Sequence, residues 1–349
     1  MDSMETLAGA EFAPEMTYLN TASSGLLPAR TVAAMHTAVT RAAAGRPTDM
    51  FADVEASRAS FARIAGVPVS RVAAGASVAV FTGLIATSLP EGAEVLVAED
   101  DFSSVVNPFV VRADLKVRFA PLESLAEAVR PGTALVAVSA VQSADGRIAD
   151  LDAIRAAARA HGARTLVDAS QSAGWLPLDA AGDDYTVAVA FKWLTCPRGV
   201  AFLVVPEDLG GLTPVFAGWV AGEEPWNSCY GPVGELAHSA RRFDESPSLF
   251  SYAGARRSLA LIEEIGPAAV QRHDAALADR FRAGLDRIGQ CVVAAPGSAI
   301  VAAPGLGHRR DELSRAGVEL SDRAGNLRAA FHLYNSAADV DRLLDALSG

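Results

Sequence analysis

Two stretches decide how this 349-residue chain folds: Leu166-Val167-Asp168-Ala169-Ser170-Gln171-Ser172-Ala173-Gly174, and Ala190-Phe191-Lys192-Trp193-Leu194-Thr195-Cys196-Pro197-Arg198-Gly199. Each continues an apolar run rich in β-branched residues, the composition of a strand buried on both faces of a parallel sheet. Asp168 ends the first run and Lys192 follows the second. In open α/β sheets the ligand crevice lies at the carboxyl ends of the strands, so both side chains are expected to face one crevice. The spacing alone is weak evidence, and a surface lysine is the ordinary alternative. Lys192, however, stands between residues 187–191 and Trp193-Leu194, an apolar setting in which an unpaired ammonium is costly. A covalent or paired role is therefore favoured. Asp168 read alone fits a helix N-cap equally well.

Working outward, short apolar runs alternate with alanine-rich helical stretches, the pattern of strand-helix-strand units on a mostly parallel sheet. Strands are expected at 95–97, 134–139, 164–168, 186–190 and 200–205. Helices are expected at 28–44, with proline in its first turn and Gly45 beyond its end, and at 78–89. After Pro206 comes a Gly/Pro/Trp-rich stretch, 210–232, which holds Trp219 and Trp226. Helices at 253–265 and 268–288 and strands near Cys291 and Leu327 complete the pattern. The last helix is announced by Ser336-Ala337-Ala338-Asp339, a capping box with Asp in place of Glu or Gln. An α/β fold follows, with a large unit over 15–245 and a smaller α+β unit made of 1–14 and 246–349.

Thirty basic and forty-one acidic residues leave a net charge of −11, which lacks the footprint of nucleic-acid binding. No apolar run approaches the roughly 18 residues of a membrane helix, and the start is acidic rather than Lys/Arg-led, so a cytoplasmic location is expected. Three cysteines, Cys196, Cys229 and Cys291, are odd in number and lack C-x-x-C spacing, against a disulfide framework or zinc knuckle. The six histidines show no ligand spacing, so no metal site is expected.

These segments resemble the fold-type I pyridoxal-phosphate enzymes of the class V aminotransferase and cysteine desulfurase superfamily, with its isopenicillin N epimerase-like branch. The resemblance runs from Tyr18-Leu19-Asn20-Thr21-Ala22 to Leu327-Arg328 and Tyr334-Asn335. It implies that Lys192 holds pyridoxal 5'-phosphate covalently and moves the substrate's α-proton, burial keeping its amine nucleophilic. By the same resemblance Asp168 faces the pyridine nitrogen, and Gln171 bonds the ring oxygen. Gly75, Ala76 and Ser77 form the phosphate cup at a helix start, and Phe102 stacks on the ring. Arg328 clamps the carboxylate of an α-amino acid. Asn20, Thr21, Ala22 and Ser23, with Gln142 and Ser143, line the pocket. Ser246, in Arg241-Arg242-Phe243-Asp244-Glu245-Ser246-Pro247-Ser248, belongs to a segment that reaches the neighbour's phosphate in a homodimer with shared sites.

The chain departs from the family's pattern at the phosphate, where the polar residues before the lysine are replaced by Val189 and Phe191. The loop 316–323 lacks the cysteine that persulfide transfer needs, and Cys291 is expected to pack in a strand as a small hydrophobe. Transamination, β-elimination and epimerisation all begin with loss of the α-proton, and transamination needs the least further apparatus. A degenerate, non-catalytic binding protein is the remaining alternative. His332 is expected on the face of Arg328, in the core or touching substrate.

Overall fold

A computed structural model describes residues 5–46, 49 and 51–348. The strands, in chain order, are β1 (Thr17–Tyr18), β2 (Val72–Gly75), β3 (Glu94–Ala98), β4 (Lys116–Ala120), β5 (Thr133–Ser139), β6 (Arg164–Asp168), β7 (Tyr185–Val189), β8 (Ala201–Val204), β9 (Ile300–Ala303), β10 (Val318–Glu319), β11 (Ser321–Arg323) and β12 (Asn326–Ala330). The α-helices are α1 (Ala29–Ala43), α2 (Ala52–Ala65), α3 (Val78–Ser88), α4 (Ser103–Val110), α5 (Leu151–His161), α6 (Leu249–Ile265), α7 (Pro267–Arg287), α8 (Arg310–Arg315) and α9 (Ala337–Ser348).

A seven-stranded sheet runs in the order β2-β8-β7-β6-β5-β3-β4. The pairs among β7, β6, β5, β3 and β4 are parallel, and β8 is antiparallel to both of its neighbours. Period-two alternation sorts its side chains. Val95, Val97, Leu135, Ala137 and Leu166 pack with Phe81, Leu84 and Phe109 of α3 and α4 on one face. Leu96, Val136, Val138 and Val167 pack with Ile154 and Ala158 of α5 on the other. Both faces are covered, which is why these strands read as continuous apolar runs.

A second sheet, β11-β12-β9, is antiparallel and packs with α7 and α9 around Leu277, Phe281, Val301, Phe331 and Leu343. Thr17–Tyr18, expected in the large unit, pairs instead with β10, and Leu19 joins the C-terminal core. The expected strand at Cys291 is absent: residues 290–297 form no strand, and Cys291 is exposed rather than packed. At Ser336 half of the Asp variant of the capping box forms: Asp339 Oδ2 accepts from the Ser336 backbone N–H at 2.8 Å, while the Asp339 N–H bonds the Ser336 carbonyl at 3.1 Å instead of the hydroxyl.

Candidate active site

Parallel strands put the loops that follow β2, β3, β5, β6 and β7 on one edge of the sheet. There they enclose a cavity of about 350 Å³, with the β11–β12 hairpin and residues 22–23 closing it from the other side. Lys192, Asp168, Phe102, Ser77, Ala22, Ser143 and Arg328 all line it, with Ser23.

The chain contains two lysines; Lys116 is exposed at the start of β4, whereas Lys192 is buried. Its Nζ lies 5.2 Å from the centre of the Phe102 ring and 5.9 Å from that of Phe191. Phe102 is 46% exposed, an aromatic ring left open above an amine. Burial above all lowers the Lys192 amine to about 8; Asp168 opposes this, and Arg328, Arg198 and Arg323 add to it. An amine near neutrality is the nucleophile that carbonyl chemistry needs.

Asp168 ends β6 and is buried, so its carboxyl is held above the ordinary range, although the Ser170 hydrogen bond and the Lys192 charge pull the other way. Its Oδ1 accepts from the Ser170 N–H at 2.8 Å, and the carboxyl lies on the cavity wall. A buried carboxylate there fits a protonated ring nitrogen.

Arg328, on β12, is buried as well. Its Nε donates to Ser321 Oγ at 3.0 Å, its Nη2 to Ser23 Oγ at 2.8 Å, and its Nη1 to the Ser143 carbonyl. No carboxylate pairs with it among the described residues. Burial and then the Arg323 charge push it down to about 9, as expected of a cation awaiting an anion.

Several expected residues stand elsewhere. Gln171 lies behind the wall: its amide donates to the Ala22 carbonyl and Ser143 Oγ, both at 2.9 Å, and its Oε1 accepts from Trp193 Nε1 at 2.8 Å. With both amide hydrogens committed, Gln171 braces the loops instead of presenting a donor to the cavity. Gln142 turns to Asp101 at 3.3 Å, and Thr21 Oγ1 is bonded to Tyr334 at 2.5 Å. Asn20 lines an adjoining cleft, and Ser246 is exposed outside the cavity. His332 is buried off the cavity wall; its Nε2 donates to the Trp193 carbonyl at 2.9 Å and its Nδ1 meets Asp274 at 3.0 Å. It holds the backbone next to Lys192 in place.

At the expected phosphate end, Ser77 caps α3, its Oγ accepting from the Val80 N–H at 3.4 Å, and Glu245 accepts the Ala76 N–H at 2.6 Å. Val189 and Phe191 line the cavity as apolar surface. Sequence reasoning missed Ser170, Arg198 and Arg323, which also line it. Arg323 carried a signal: it lies on the same strand period as Ser321, opposite Arg328.

A fold of this topology, with a buried lysine and aspartate at the strand ends and an anion-seeking arginine, defines a pyridoxal-phosphate-dependent enzyme. Residues 17–343 match the aminotransferase class-V family, and the chain belongs to it. It is 28% identical over 316 residues to the uncharacterized aminotransferase YcbU of Bacillus subtilis, covering 84% of this chain and 83% of that protein. It is 29% identical over 386 residues to isopenicillin N epimerase of Streptomyces clavuligerus, covering 96% and 94%. Among solved structures, the cystine C–S lyase C-DES in complex with cysteine persulfide superposes with a TM-score of 0.85 at 25% identity, covering 96% of this chain and 97% of that one. A variant of that lyase carries glycine covalently linked to its pyridoxal phosphate.

Proposed function

We propose that this enzyme transfers the amino group of an α-amino acid, with Lys192 as both the covalent cofactor anchor and the base. The observation that carries this reading is the buried Lys192 amine, lowered to about 8 and facing Phe102 and Asp168 in one cavity. When bound, pyridoxal phosphate supplies a sink for the electrons released at the α-carbon. Asp168 would hold the proton on the ring nitrogen, Phe102 would pack against the ring, and Arg328 would fix the α-carboxylate so that the α-C–H faces Lys192. Once the substrate's amine has displaced Lys192 from the cofactor, its Nζ would be free to take that proton and give it back. Gly75, Ala76 and Ser77 take the phosphate, which requires the Glu245 carboxylate to give up the Ala76 N–H. Asn20, Thr21, Ala22, Gln142, Ser143 and Gln171 keep the pocket's shape.

Persulfide chemistry is disfavoured. Cys196 is buried, with burial raising its thiol, while Cys229 and Cys291 are exposed. No cysteine lines the cavity among the described residues. We place the units at 15–245, apart from residues 17–19, which join the smaller unit, and at 1–14 with 246–349, and the enzyme in the cytoplasm as a homodimer. The exposed Ser246 supports a cross-subunit reach to the partner's phosphate.

The test is the visible spectrum of the pyridoxal-phosphate-loaded protein mixed with single amino acids and no keto acid. Transamination predicts that the band of the lysine-bound cofactor gives way to its amine form, with a keto acid released in equal amount. A persistent band with ammonia accumulating overturns it in favour of β-elimination.

A further inference from the structure

Three arginines line the cavity; a bound cofactor's phosphate and the substrate's α-carboxylate would answer their charge between them, so the case for a further anion rests on where Arg323 stands. Arg198, Arg323 and Arg328 line it beside Lys192, with Asp168 the sole carboxylate on its wall among the described residues. Arg198 lies over the ring of Phe191, its guanidinium carbon 4.1 Å from the ring centre. Arg323 Nη1 donates to the Asp322 carbonyl at 2.7 Å. Neither arginine has a carboxylate partner among the described residues.

The β11–β12 hairpin sets the spacing. Ser321 pairs with Arg328 across the ladder, and Arg323 follows Ser321 by two residues. All three side chains therefore stand on one face. Ala324 and Gly325, with φ of 51° and 79°, form the left-handed two-residue turn that suits the hairpin's twist. Arg323 Nη2 and Arg328 Nη2 both donate to Ser23 Oγ, at 3.1 and 2.8 Å. Two guanidinium groups thus converge on one neutral hydroxyl. A second cleft of about 370 Å³ adjoins the cavity and shares Ser23 and Arg323 with it. Asp322, on its rim, turns its carboxylate to the Gly325 N–H at 3.0 Å.

We infer that the substrate is an α-amino acid with a second anionic group on its side chain, and that Arg323, next to Arg328 across Ser23, reads that group. The inference rests on the amino-acid reading proposed above. An α-carboxylate at Arg328 leaves Arg323 facing the substrate's side chain, where a neutral group gains nothing from the charge. Arg323 is exposed, and a charge-assisted pair there favours acid over amide by about two- to fivefold.

Calorimetric titration of the loaded enzyme with glutarate and with its monoamide tests the pair of anions without any amine chemistry. Spectral titration with L-glutamate and L-glutamine, and with L-aspartate and L-asparagine, tests it with the amine present. The expected result is tighter binding of the acid by about two- to fivefold. In Arg323→Gln the preference falls to near unity while amide binding is kept, and in Arg198→Gln the preference is retained. Equal binding of acid and amide overturns the inference. So does loss of preference in Arg198→Gln alone, or a loss of cofactor from Arg323→Gln with the preference intact, which would assign Arg323 to the phosphate. If glutarate is preferred over its monoamide while no amino acid perturbs the band, the second anion site stands and the aminotransferase reading falls.

Discussion

Lys192 is where burial and reactivity meet. Its amine is lowered to about 8 by desolvation, so the folded protein gives up its proton well below the unfolded chain, whose lysine titrates near 10.4. Between those values the unfolded state binds more protons, and stability of the cofactor-free protein must rise with pH across that window; below it the burial penalty is constant. The rate of covalent capture of added pyridoxal phosphate should likewise climb with pH to about 8 and level off. Stopped-flow absorbance checks the rate, and urea unfolding of Lys192→Met beside the parent checks the stability. A capture rate flat from pH 6 to 9 would contradict the lowered amine. The buried, apolar setting of Lys192 was legible, because an apolar run interrupted by one lysine is conspicuous. Gln171 was not: its amide is drawn off by Ala22, Ser143 and Trp193, partners 22 to 149 positions away in sequence.

Among the elements, the phosphate-cup strand is tied to the segment that follows it by a buried ion pair. Arg58, on α2, donates to Asp244 at 3.1 and 2.6 Å and to the Val72 carbonyl at 2.8 Å, while Asp244 accepts the Ala74 N–H at 2.8 Å. Burial pushes the Asp244 carboxyl up and the Arg58 charge pulls it back. Asp244→Ala leaves the buried Arg58 charge with the half-exposed Glu55 as its one carboxylate partner among the described residues and is expected to cost about 1–3 kcal/mol. It also frees Glu245 and β2 together, so cofactor affinity should fall in parallel, as thermal unfolding and cofactor titration will measure. Unchanged unfolding would refute the tie. Strand existence in the central sheet was plain from β-branched runs such as 164–168, which matches β6. The edge strand β4, Lys116-Val117-Arg118-Phe119-Ala120, escaped notice because its charged residues read as loop. The apolar run after Cys291 misled in the opposite sense. It is rich in β-branched residues, yet only Val293 N–H bonds to a strand, at the Ala302 carbonyl, 2.9 Å.

At the scale of the whole molecule, two sheets whose cores join through Ile300 and Ala330 meet at one cavity, and each supplies what the other lacks. The seven-stranded sheet brings the amine and the carboxylate; the smaller sheet brings Arg328 and Arg323. Period and propensity reveal each sheet on its own, whereas their meeting depends on contacts such as His332 to the Trp193 carbonyl, which join residues 139 positions apart. The chain's two lysines make the central claim unusually open to a direct test. Borohydride reduction of the pyridoxal-phosphate-loaded protein, followed by peptide mass spectrometry, should place the whole phosphopyridoxyl label on the peptide containing Lys192, with Lys116 unmodified. Label on Lys116, or no label on a protein that shows the bound cofactor's absorbance, would contradict the account.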